Sequence, residues 1–99
     1  MKEEEFYLKE IKLIKDKLHE TKMKINENRQ ETKNCRDEEE TLLVDTVLTT
    51  HNLKENNQKI ILLKQKLVKL DESFKDLKCI VKGLELREKV FQSILNEQL

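Results

Sequence analysis

LKENNQKIILLKQKLVKLDESFKDLKCIVKGL, residues 53–84, decides the fold. Every seventh residue from Leu53 gives Leu53, Ile60, Leu67, Phe74 and Val81. The same count from Asn56 gives Asn56, Leu63, Leu70, Leu77 and Leu84. Nine of these ten positions are apolar. Apolar residues spaced alternately by three and four are the signature of a helix that pairs with another helix.

Working outward, the same register holds for the whole chain. Position a falls at Glu4 and every seventh residue after it, and position d three residues later. Counting Tyr and Cys as apolar, 18 of the 28 a and d positions qualify, against a background of 36% apolar residues. No insertion disturbs the period, so the seam implies a left-handed supercoil. Its quality varies. Residues 4–25 form a fair seam. Residues 26–40 form a soft polar stretch, with Asn28, Thr32, Cys35 and Glu39 at the inward positions. Residues 41–98 form the strong seam, ending with Phe91 and Leu95.

Composition agrees. The 99 residues hold no Pro, no Trp, one Gly and 40% charged side chains. Such a chain is poor in turn residues and in the bulk of an ordinary globular core. The expected fold is all-α, a long amphipathic helix in a coiled coil or helical bundle. Residues 1–99 read as a single coiled-coil segment. The soft stretch either continues as helix or turns back, and the lack of breakers favours a continuous rod, on the order of 140 Å long. The last heptad has no Gly or Pro stop, so the seam is read as open to continuation.

Twenty basic residues balance 20 acidic ones, so no net field favours nucleic acid or membrane. The longest apolar run, residues 60–63, is far below the ~20 residues of a spanning helix. The acidic start, with no apolar core after it, carries no secretory signal. An intracellular protein, cytoplasmic or nuclear, with Cys35 and Cys79 as reduced thiols, is the expectation.

Nothing resembles a catalytic constellation. His19 and His51 fall at outward positions b and f, with no nucleophile held beside them. The Cys and His residues are too dispersed for a metal site. The basic stretch 12–36 is interrupted by Asp16, Glu20, Glu27 and Glu31 and carries the seam through it, unlike a basic DNA-reading helix. No enzyme activity, cofactor, metal, small-molecule substrate, nucleic acid or membrane contact is expected.

Partner choice can be read at the flanks. In a parallel homodimer Glu10–Lys15, Glu31–Arg36 and Lys66–Asp71 attract, while Lys17–Lys22, Lys24–Arg29 and Lys59–Lys64 repel. Glu39 would also meet its own copy in the seam. A different coiled-coil subunit, acidic opposite 17–29 and 59–64, removes both conflicts. The apolar surface widens at 42–48, 60–68 and 80–99, which suits three or four helices or docking on another subunit. Asn28 and Asn56, both at d, either fix register or mark flexible layers. The residues expected to bind the partner are Leu53, Ile60, Leu63, Leu67, Leu70, Phe74, Leu77, Val81, Leu84, Phe91 and Leu95. A carboxylate at Leu70 or Leu77 is expected to abolish assembly, and one at Thr32 to be tolerated.

Val90-Phe91-Gln92-Ser93-Ile94-Leu95 resembles the Val-Phe-Gln-x-Leu-Ile pattern near the C-terminus of the centromere protein H family. The resemblance implies a coiled-coil subunit of a heteromeric inner-kinetochore complex in the nucleus, with Phe91, Gln92 and Leu95 in a subunit contact. The function expected is therefore a non-enzymatic structural subunit of a larger complex. The alternative is a self-contained helical bundle acting as an adaptor or regulatory module.

Overall fold

The first 48 residues contain neither Gly nor Pro, and Glu3, Glu4 and Glu5 place negative charge where a helix N-terminus favours it. In the computed structural model they produce one helix, α1, Lys2–Leu48. A second helix, α2, spans Leu53–Gln98. The structure describes residues 2–49 and 51–98, with the side chain of residue 98 left aside. The described residues contain no strand. The soft stretch 26–40 is helical throughout.

The chain does not run as a continuous rod. It reverses between the two helices, after Leu48 and before Leu53. The reversal needs no Gly or Pro. Two consecutive Thr residues, stiff at χ1, lower the helix propensity at 49–50. Asn52 then starts α2 from the N-cap position, its carbonyl accepting the Asn56 N–H at 2.8 Å. Glu55 follows three residues later and adds negative charge to the first turn of α2. At the other end, the Thr49 N–H closes the last turn of α1 on the Asp45 carbonyl.

The chain divides into two compact units, Asn26–Lys75 and Met1–Ile25 with Asp76–Leu99. The first is a hairpin of the two helices around the reversal. Asn28 meets Leu70 across it, and Asp45 meets Asn56, so the helices run antiparallel. The second pairs the start of α1 with the end of α2, where Tyr7 and Phe91 lie 5.7 Å apart between ring centroids.

The heptad register accounts for burial in both units. Every described a and d residue is buried or half-buried except Thr49 and Leu53, which flank the reversal. Outside those positions, among the described residues, only Glu10, Arg29, Glu31, Asp45, Gln92 and Ile94 are less than exposed, and all six lie at e or g. Ile11, Ile14, Leu18 and Leu95 form the buried apolar core of the terminal unit. Cys35, Ile60 and Leu63 form that of the hairpin unit. Gly83 sits at c with open space where a Cβ would be, so it meets no packing need.

The two thiols report on this arrangement. Cys35 is buried at d, and Cys79 is exposed at f. Cys79 should react with an aromatic disulfide at the rate of a free peptide thiol. Cys35 should react roughly 100-fold more slowly, limited by opening of the hairpin, and at the same rate as Cys79 in denaturant. Equal rates in the folded state would place Cys35 outside the seam.

A candidate interaction surface on the helical hairpin

The residues named from the sequence for partner binding form α2's side of the seam, facing α1 of the same chain. Ile60, Leu63 and Leu95 are buried. Leu67, Leu70, Phe74, Leu77, Val81, Leu84 and Phe91 are half-buried. Leu53, beside the reversal, is 48% exposed. Gln92, implied by the family resemblance, is half-buried at e.

Four small or polar inward residues of α1 are buried more deeply than most of these apolar ones. Thr21, Asn28, Thr32 and Cys35 are all buried. Small side chains fit beneath the bulk of the facing helix, and the two threonine hydroxyls are satisfied within α1 itself. The Thr21 hydroxyl donates to the Lys17 carbonyl at 2.7 Å, and Thr32 to the Asn28 carbonyl at 2.9 Å. Such back-bonding removes the cost of a buried hydroxyl without a partner from the opposite helix. Among the described residues no buried side-chain nitrogen or oxygen lacks a hydrogen-bond partner.

Both seam asparagines reach across the hairpin. Asn28 Nδ2 donates to the Leu70 carbonyl at 2.9 Å, while its Oδ1 accepts from Arg29 Nε and Nη2. The Arg29 guanidinium lies 3.6 Å from the centroid of the Phe74 ring, within cation–π range. One amide, one guanidinium and one ring thus tie α1 to α2 over a single turn. Near the reversal, Asn56 Nδ2 donates to Asp45 Oδ2 at 2.6 Å and to Thr46 Oγ1 at 3.3 Å. Asp45 is part of the acidic stretch 37–45, and the last turn of α1 holds no basic residue to offset its dipole. The Asn56 amide supplies a donor there instead.

Between these ties, Glu31 accepts a hydrogen bond from Lys66 Nζ, joining the g positions of the two helices. That hydrogen bond, and then the Glu31 charge, hold the Lys66 ammonium above its ordinary value. Both side chains are largely solvated, so the pair serves orientation more than stability. Other ion pairs, Glu20 with Lys17 and Lys24, Glu55 with Lys59, and Asp71 with Lys75, stay within one helix.

What the hairpin leaves outside is apolar. Leu43, Val44, Val47 and Leu48, with Glu40, line a shallow groove along the last two turns of α1. Their spacing of three and four places them on a second helix face, away from the seam. Val47 is 84% exposed and Leu48 76%. Ile61, Leu62 and Val68 are exposed on α2 of the same unit. The terminal unit exposes Phe6, Leu8, Leu13, Met23, Ile80, Leu86 and Val90. The widening read at 42–48, 60–68 and 80–99 is therefore surface at most of its described positions; Ile94 is half-buried, and Leu99 lies outside the described residues. No helix among the described residues is long and apolar enough to cross a membrane. No family model, curated protein or solved structure matches the chain.

The depth of Thr32 reverses one expectation. A carboxylate at Thr32 should not be tolerated better than one at Leu70, because Thr32 is the more deeply buried site. Thr32→Asp should cost about 3 kcal/mol or more at pH 7, read by chemical denaturation. Burial raises the new carboxyl's folded pKa above its unfolded value of about 3.9. The penalty is therefore smallest below that pH and grows as pH rises through the folded value. A variant within experimental error of the parent at pH 7 would show that Thr32 faces water.

Proposed function

We propose that this chain is a non-enzymatic helical-hairpin subunit that joins a larger heteromeric intracellular assembly through its outward apolar surface. The observation that carries this reading is the distribution of apolar bulk. Among the described residues, 15 large apolar side chains are exposed, against six that are buried and 11 that are half-buried. Burial of such side chains is worth about 1.5–3 kcal/mol each, so a large share of the available energy is left for a further contact. Exposed apolar residues clustered on particular helix faces, rather than scattered singly, mark an interaction surface.

The seam needs no partner in this account, because each helix covers the other. That feature favours the second reading, a self-contained hairpin used as an adaptor or regulatory module. The two readings differ in what the isolated chain does. An inner-kinetochore setting in the nucleus rests on the Val90–Leu95 resemblance alone.

Sedimentation and thermal melting of the isolated chain separate the readings. The heteromeric subunit should melt broadly, at a midpoint that rises when its native assembly partner is added in equal amount. A monomer that melts sharply above body temperature, with no gain from the co-purified subunits, would favour the self-contained module. A tight homodimer at nanomolar concentration would contradict the heteromeric reading outright.

A further inference from the structure

In the hairpin unit, antiparallel pairing sorts the flanks. The Glu31–Lys66 pair places g against g along one edge. The e positions, and the b positions beside them, therefore share the opposite face. Arg29 at e, lying over Phe74, confirms which edge this is. That face carries Leu43 and Val47 from α1, and Ile61 and Val68 from α2, all exposed. Leu43 and Val47 are one turn apart, and Ile61 and Val68 two turns, so each pair forms a ridge along its helix.

Charge is sorted in the same way. Within residues 26–75 the e and b positions hold six basic side chains and two acidic ones. The g and c positions hold five acidic and three basic. Two of the six cations are engaged within the hairpin, Arg29 on Phe74 and Lys75 with Asp71. Lys33, Arg36, Lys54 and Lys64 make no hydrogen bond or ion pair with other described residues. Four cations unpaired among the described residues thus flank four exposed apolar side chains.

We propose that this e/b face of the hairpin docks an amphipathic helix of another protein whose apolar stripe is flanked by Asp and Glu. The inference rests on the heteromeric reading above and names the surface and the partner's chemistry. The apolar stripe of the incoming helix covers Leu43, Val47, Ile61 and Val68, turning the two-helix pair into a three-helix unit. Its carboxylates meet Lys33, Arg36, Lys54 and Lys64 at the rim. These rim charges steer association and reject basic helices, while the apolar ridges hold the complex. Binding is accordingly weakened by salt.

The test is selection from a displayed library of helical peptides with Leu or Ile at a and d and every charge allowed at e and g. The bait is the full chain. Winning peptides should be enriched in Asp and Glu at the flanks. The variants Val47→Asp and Ile61→Asp alter exposed positions, so their helicity by circular dichroism should match the parent. Each should weaken the winning peptide by about 100-fold. Arg36→Glu with Lys64→Glu should weaken it by about tenfold, and 0.5 M salt should do the same. Basic or charge-neutral winners would overturn the proposal. So would winners indifferent to Val47→Asp and Ile61→Asp but lost on Leu13→Asp or Val90→Asp, which would leave the heteromeric reading standing on the terminal unit's surface. No winners, together with a tight homodimer in sedimentation, would overturn both the face and that reading.

Discussion

Two side-chain amides set the register of the hairpin. An apolar seam of Leu and Ile can slide by a heptad with little penalty, because every layer resembles the next. Asn28 and Asn56 remove that freedom. Asn28 has its donor on the Leu70 carbonyl and its acceptor on Arg29, and Asn56 is held by Asp45 and Thr46. A slip would bury both amides without partners, at roughly 1–3 kcal/mol each. Polar residues inside a coil that fix its register at some cost in stability are a familiar device. Here both lie on opposite arms of one hairpin, one near the reversal and one at its far end.

The arms are unequal, and the inequality lets them fit. From Asn28 to Cys35 the inward side of α1 is small or polar, while that of α2 is Leu and Phe over most of its length. Small side chains on one helix beneath large ones on the other allow close approach, which is why Thr32 and Cys35 are buried while Leu67 and Leu70 are half-buried. The stretch that looks weakest in the sequence, at Asn28, Thr32 and Cys35, is covered about as closely as the apolar positions Ile11, Ile14 and Leu18. Two helices cannot cover a wide apolar surface, however, and the side chains at e, b, f and c remain outside.

Fold class and register were legible because they depend on local spacing. The positions predicted to face inward do so from Glu4 to Leu95, apart from the two beside the reversal. The place of the reversal was harder to read. Its signals are Thr49-Thr50 followed by Asn52 and Glu55, a stop without a breaker and a start with a cap. They are weak next to an unbroken heptad period, which passes through the turn without a shift. The flank pairs legible in the sequence are those of parallel strands, where g meets e. In an antiparallel pair g meets g, so Glu31 with Lys66 could be found only once the direction was known. The outward apolar residues were legible as a widening of the stripe. Which of them share a face depends on strand direction, and hence on the reversal.

A distance between residues 31 and 66 tests the hairpin most directly. Spin labels at Glu31→Cys and Lys66→Cys, in a background carrying Cys35→Ala and Cys79→Ser, would be measured by dipolar spectroscopy. The labels should lie within about 20 Å, since paired helix axes stand about 8–10 Å apart. The distance should persist when labelled chain is diluted into a large excess of unlabelled chain, because both labels belong to one molecule. A separation near 50 Å, the rise of 35 residues in an unbroken helix at about 1.5 Å each, would contradict the account. So would a short distance that vanishes on dilution, which would place the antiparallel contact between two rods.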